Sequence, residues 1–266
     1  METTENHFKI VIIGAGNVAT HLANRLKKKG HDILQIVSRS AENAKVLSIQ
    51  IGVPFVTNIK KINKQADIYL LCVPDDEIEK LNKTLKLPKK LILHTSGSVG
   101  IVALKNISSN IGVLYPLQSF SKHVKVSFAS LPLLVEASNP VSLQQLKTLT
   151  ISLSKHIHEV DSEGRLKVHV AATMVNNFTN YLYHLSYDFL SKEKNNYFHL
   201  LMPLIKQTAK KIKTNKPSTV QTGPAKRGDE KTIKKHLQLL EKYPEQKKVY
   251  ELFTSLIKKK YNAREL

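Results

Sequence analysis

Over the first 160 residues, short apolar runs alternate with stretches that repeat apolar residues at three- and four-residue steps. Ile10 to Ile13, Ile33 to Val37, Pro54 to Val56, Asp67 to Val73, Lys90 to Leu93, Ile111 to Leu114, Leu131 to Glu136 and His156 to Val160 each read as a strand. Near-continuous apolar runs of this kind suit strands covered on both faces of a parallel sheet. Between them, Val18, Leu22 and Leu26 mark a helix whose last turn carries Lys27 to Lys29, with Gly30 just beyond. Ala41 to Gln50 and Val141 to Leu153 read as further helices, and Asn58 as the cap of a short turn. Pro74 followed by Asp75, Asp76 and Glu77 is good helix-start chemistry, because acids complement the positive end of the helix dipole.

From Asp161 the pattern becomes helical throughout. Asp161-Ser162-Glu163 reads as a helix start, and Gly164 to Leu190 as one long amphipathic helix carrying Val168, Ala172, Val175, Phe178, Leu182 and Leu185. Further helices are expected at His199 to Thr214, Thr232 to Tyr243 and Glu245 to Lys260. The pattern predicts an α/β fold: a doubly wound, mostly parallel sheet over residues 1–161, followed by an all-α domain over 162–266.

The first strand runs directly into Gly14-Ala15-Gly16-Asn17-Val18-Ala19 and the first helix. This is the strand–turn–helix context in which a G-x-G-x-x-A run binds a dinucleotide. Gly14 permits the tight turn, Gly16 lets a pyrophosphate approach the backbone, and Ala19 allows the helix to pack on the sheet. The second strand ends in Ser38-Arg39-Ser40, where an NAD site commonly carries an acid. A guanidinium flanked by hydroxyls suits a 2′-phosphate, so the expected cofactor is NADP. In an open α/β sheet the ligand lies at the carboxyl ends of the strands. Val73, Pro74, Ser96 and Gly97 are therefore expected to line the same site, with Asp75 and Asp76 serving the helix start.

Composition adds limits. The chain has 266 residues, 41% of them hydrophobic, and a formal charge of +20. The lysines are spread along the chain without a basic arm, an RNA-binding aromatic signature or zinc spacing, so the charge reads as solvated surface and nucleic acid as no partner. No apolar run reaches the length of a membrane span, Met1 to Lys9 has no apolar signal core, and Cys72 is the single cysteine. A cytoplasmic protein without disulfides is expected. No metal site is expected, and His156 and His158, alternating along the last strand, read as surface residues.

Several polar residues stand out as candidates for chemistry. His94-Thr95-Ser96-Gly97-Ser98 ends a strand, and His169, Thr173, Asn176 and Asn180 share one stripe if the long helix is regular. Asn176 and Asn177, set between Val175 and Phe178, suggest a lined cleft. Two prolines and two glycines fix the loop from Pro217 to Asp229, which presents Thr222, Gly223, Lys226 and Arg227. The cations suit an anionic group, while Asp229 is placed to cap the next helix or to serve the site.

These stretches, together with Tyr115-Pro116-Leu117-Gln118 and Thr222-Gly223-Pro224-Ala225-Lys226-Arg227-Gly228-Asp229, resemble bacterial Rossmann-type proteins that carry a helical domain of unknown function. These are labelled deazaflavin-dependent NADP oxidoreductases. More distantly the chain resembles pyrroline-carboxylate reductases and β-hydroxyacid dehydrogenases. The resemblance implies a 6-phosphogluconate-dehydrogenase-like C-terminal domain that forms a homodimer, and a site in the interdomain cleft. Hydroxyacid dehydrogenases place a lysine four residues before an asparagine on the first long helix. Here Thr173 precedes Asn177 and Ala172 precedes Asn176 at that spacing, which speaks against lysine-assisted alcohol oxidation.

The expected function is hydride transfer between NADP(H) and a small anionic substrate or a deazaflavin. Ser96, Asn177, Arg227 and Asp229 are the expected active-site groups, with His94 or His169 as proton donor. Asn176, Thr222 and Gly223 are expected to help hold the substrate. The competing reading is a non-catalytic NADP-binding sensor or scaffold, motivated by the missing lysine. The charge alone suggests the third reading, a nucleic-acid-associated protein.

Overall fold

The computed structural model describes residues 7–122, 124–191 and 195–261; the start of the N-terminal stretch read above for a signal core, residues 1–6, lies outside them. The eight strands form one sheet, β1 (Lys9–Ile13), β2 (Asp32–Val37), β3 (Phe55–Val56), β4 (Ile68–Leu71), β5 (Leu91–His94), β6 (Asn110–Pro116), β7 (Leu133–Ala137) and β8 (Ile157–Glu159), in the order β3-β2-β1-β4-β5-β6-β7-β8. All neighbours run parallel except β6 and β7. The helices of this part are α1 (Asn17–Lys28), α2 (Ala41–Ile51), α3 (Asp75–Thr84), α4 (Pro140–Leu153) and α5 (Ser162–Ala172).

Successive residues of each central strand point to opposite faces, and both faces are covered. Ile10, Ile12, Ile68, Leu70, Leu91 and Leu93 pack with Leu22, Leu47 and Leu146 on the side of α1, α2 and α4. Val11, Ile13, Tyr69, Leu71 and Ile92 pack on the other side with Ile78 of α3. This is why the strands read as unbroken apolar runs. Strand order reverses beside β1, between β1 and β4, which is where such sheets bind ligands.

The described chain divides into two compact units, Met1–Met174 and Val175–Leu266. The second is helical: α6 (Thr179–Ser191), α7 (Met202–Lys211), the short α8 (Pro224–Arg227), α9 (Glu230–Leu239) and α10 (Pro244–Tyr261). The long helix expected from Gly164 is one irregular run. A π-helical segment, Thr173–Phe178, joins α5 to α6. Its i→i+5 bonds insert residues into the turn, so the regular spacing assumed for a stripe of His169, Thr173, Asn176 and Asn180 does not hold. Asn176 and Asn177 are exposed there. His156 and His158 are exposed. Among the described residues no helix is long and apolar enough to cross a membrane, and no three His, Cys, Asp or Glu side chains are grouped to hold a metal.

Candidate functional site

The glycine turn sits where β1 and β4 end side by side. Gly14 has φ +115°, and a Cβ there would lie 2.1 Å from the Cys72 carbonyl oxygen. Only glycine fits this approach. Gly16 differs: a Cβ at Gly16 would meet no atom within 4 Å. It is the N-cap of α1, with no side chain capping the helix and no acid in its first turn. α2, α4, α5 and α9, by contrast, are each capped by a side chain: Ser40, Asn139, Asp161 and Asp229. The first N–H groups of α1 therefore face open space, which is how a helix start receives a phosphate. Ala19 is fully buried against the sheet and Val18 packs on the same core. Asn17 donates to the Phe120 carbonyl at 2.9 Å, which ties the helix start to a neighbouring loop.

A cavity of about 1050 Å³ opens in front of this turn. Gly14, Ala15 and Gly16 form one wall; Ser38, Arg39 and Ser40 form another, and Val73 and Pro74 a third, with Glu77 and Lys80 of α3 also lining it. Ser40 accepts from Asn43 N at 3.3 Å and Asn43 Nδ2 at 3.0 Å. The end of β2 carries no acid, but one reaches it from elsewhere in the fold, because Arg39 Nη1 pairs with Glu77 Oε1 of α3 at 2.9 Å. Glu77 arrives from a different strand end, so counting residues past the glycines does not find it. Lys80 bonds the same oxygen at 2.5 Å and Asp76 at 3.1 Å. The bond to Glu77, then that to Asp76, holds the Lys80 ammonium above its ordinary range. Lys80 in turn holds the Asp76 carboxyl below its own. Cys72 lines the cavity, but burial pushes its thiol up to about 12 and removes it from nucleophilic chemistry. The open helix start, the roomy cavity and the cations at Arg39 and Lys80 fit a dinucleotide.

The turn after β5 uses its polar groups on itself. Ser96 Oγ accepts from Ser98 N at 3.1 Å and Val99 N at 3.0 Å, and Ser98 Oγ donates to Asp75. His94 is fully buried, and its Nδ1 accepts from Ser96 N at 3.2 Å. Burial, followed by the nearby Arg165 guanidinium, pushes the imidazole down to about 4. Asp75 and the Gly100 backbone pull weakly the other way. His94 is thus neutral and sealed, and as a candidate proton donor it is corrected to a group that shapes the turn.

Gly97 has a different neighbour. A Cβ there would lie 2.6 Å from His169 Nδ1 and 2.8 Å from Tyr115 Cζ. Those two side chains share a hydrogen bond of 2.9 Å between Tyr115 Oη and His169 Nδ1, with the rings edge-on at 76°. Tyr115 stands near the carboxyl end of β6 and His169 one turn after Arg165 on α5. Arg165 is fully buried, pairs with Glu136 of β7 and donates to the Val99 carbonyl at 2.6 Å. Burial raises the Tyr115 phenol above its usual range, against a smaller lowering by Arg165. Reading residues singly misses Tyr115; the available signal is a Tyr-Pro pair at the carboxyl end of a strand.

The remaining expected residues lie on the helical unit. Thr222 and Gly223 line a separate apolar cavity of about 580 Å³ formed within that unit. Arg227 is exposed at the end of α8, and among the described residues no carboxylate forms an ion pair with it. Asp229 spends both oxygens on Thr232, at 3.0 Å from its N and 2.7 Å from its hydroxyl. Those bonds hold its carboxyl below the usual range, so Asp229 caps α9 with a fixed negative charge.

Residues 9–96 match the family described as "NADP oxidoreductase coenzyme F420-dependent", and residues 131–257 match a domain of unknown function (DUF2520). No functionally curated protein matches the chain. Among solved structures, a "putative NADP oxidoreductase" from Bacteroides fragilis is 36% identical, covering 96% of this chain and 100% of its own, with a TM-score of 0.90. The fold alone is shared with a 1-pyrroline-5-carboxylate reductase from Streptococcus pyogenes, at 16% identity, 96% and 99% coverage and a TM-score of 0.61. It is likewise shared with an imine reductase from Myxococcus stipitatus solved with NADP+, at 13% identity, 96% and 94% coverage and a TM-score of 0.67. The chain therefore belongs to the NADP-oxidoreductase-like family in which a Rossmann domain of the F420-dependent type precedes a DUF2520 domain.

Proposed function

We propose that the protein is an NADPH-dependent reductase of a small anionic carbonyl or imine compound, or of a deazaflavin. The observation that carries this reading is the open start of α1 at Gly16, facing a cavity that Arg39 and Lys80 also line. NADPH, when bound, supplies the hydride. The chain's part is to hold the pyrophosphate on the α1 N–H groups and the 2′-phosphate on Arg39, with Ser38 beside it. Val73, Pro74 and Gly97 then present the strand ends to the acceptor. Arg227, which has no carboxylate partner among the described residues, is the group we assign to the substrate's anionic end, and Asn177 is assigned to orienting it. The exposed apolar side chains of the helical unit, among them Val175 and Phe178, support a homodimer formed through that unit.

The test is calorimetric titration with NADPH and NADH. Gly16→Ala places a methyl group in the open space without touching the protein, so it is expected to leave folding unchanged and weaken both ligands by tenfold or more, a change of about 1.4 kcal/mol. Arg39→Ala is expected to erase a preference for NADPH. Equal affinity for the two dinucleotides in the wild type would refute the NADP assignment. Activity is then read on a panel of a keto acid, 1-pyrroline-5-carboxylate and a deazaflavin. No turnover of any member would favour the sensor reading, and full activity in Arg227→Ala would remove the anchor.

A further inference from the structure

A reduction of C=O or neutral C=N needs a proton as well as a hydride; the His94 imidazole is fully buried and the Ser96 hydroxyl is engaged within its own turn. The Tyr115–His169 pair is half-buried and carries exchangeable protons. β4, β5 and β6 run parallel, so Val73, Gly97 and Tyr115 all lie on the carboxyl edge of the sheet. Ser96 joins this edge to the cavity, through Ser98 to Asp75 beside Pro74. Both rings of the pair are half-buried, so they are neither sealed like His94 nor loose in solvent. Gly97 is the residue that lets them come this close to the backbone. The buried Arg165–Glu136 pair pins α5 to β7 one turn before His169, which fixes the imidazole against the phenol.

We propose that Tyr115 is the proton donor of the reduction, with His169 as the positioning residue behind it. This rests on the reductase reading above. As hydride adds to the acceptor carbon and the dinucleotide is oxidised, the π pair moves to the nitrogen or oxygen. That atom takes the proton from Tyr115 Oη. The phenolate left behind accepts a hydrogen bond from His169 Nδ1–H and regains a proton from water by way of the imidazole. The charged group acting on the phenol is Arg165, itself paired with Glu136, and a guanidinium there favours the phenolate.

The experiment follows tyrosinate absorbance against pH, as the difference between wild type and Tyr115→Phe, with and without saturating NADP+. In the free protein Tyr115 is expected to ionise above the ordinary tyrosine range. The cationic nicotinamide ring of NADP+, set against the phenol, is expected to bring the midpoint down by about one to three pH units, and NADPH to leave it in place. His169→Gln is expected to move the midpoint in the free protein with little loss of fold. NADP+ binding by calorimetry without any movement of the midpoint would overturn the proton-donor role alone. No binding at all would overturn the dinucleotide reading and this role with it. As a second readout, Tyr115→Phe is expected to lower kcat on a keto acid by about 10²- to 10⁴-fold and to spare N-methyl-1-pyrrolinium, which needs no proton. Equal loss on both would make the tyrosine merely structural.

Discussion

The two units of the chain solve the burial problem differently. The sheet unit covers both faces of its central strands, and Ile10, Ile12, Leu22 and Leu93 are fully buried. In the helical unit, α7 and α10 bury no residue at all. Val175 is 73% exposed, Leu204 63% and Leu252 57%. Single exposed apolar residues are ordinary, and those of the helical unit are the side chains we propose for the homodimer surface. The sheet unit also carries exposed apolar side chains, among them Ile49 and Ile151, but its helices α1, α2, α3 and α4 each bury residues.

Three experiments would break or sharpen this contrast. The largest effect is expected from Arg165→Met. It leaves the Glu136 carboxylate without its ion-pair partner and should lower the stability of the sheet unit by about 3–5 kcal/mol in denaturant unfolding. Adding Glu136→Gln should restore much of that loss. A loss below about 1 kcal/mol would mean that α5 is not held to the sheet by this pair.

Next comes acid. His94 titrates near 6.5 in the unfolded chain and near 4 in the fold, so between those values the unfolded state binds the extra proton. Stability is then complete above pH 6.5 and falls as the pH drops toward 4, by up to about 3 kcal/mol. His94→Asn keeps an acceptor for Ser96 N and should flatten that slope in pH-dependent melts. An unchanged slope would place the acid sensitivity elsewhere.

The smallest effect on the sheet unit is expected from the double variant Val175→Asp and Phe178→Asp. Light scattering should show a dimer in the wild type and a monomer in the variant. The melting of the sheet unit should move by no more than about 0.5 kcal/mol. A dimer that survives both charges would locate the assembly surface on another face.

Much of the sheet unit was legible in the sequence, because each buried strand is a short apolar run that the flanking polar residues bound. Gly14, Gly16 and Arg39 were legible for a related reason: strand, turn and helix follow one another within 30 residues. What was not legible is pairing between distant residues. Glu77 meets Arg39 from another strand end, and Tyr115 meets His169 across 54 residues. Neither pair leaves a local period. Ser96 and His94 are a further case, since polar residues at a strand's carboxyl end read alike in sequence whether they face a ligand or each other. The π-helical segment at Thr173–Phe178 defeated an argument from spacing outright, because a regular turn was its premise.

The uncapped start of α1 has a consequence outside chemistry. A helix whose first N–H groups await a phosphate is less stable empty than filled, so ligand and fold are linked. At a free concentration one hundred times its dissociation constant, a dinucleotide would add about 2.7 kcal/mol to the folded state. Under the proposed reading, the lifetime of this protein in a cell would rise and fall with the local supply of the dinucleotide, oxidised or reduced.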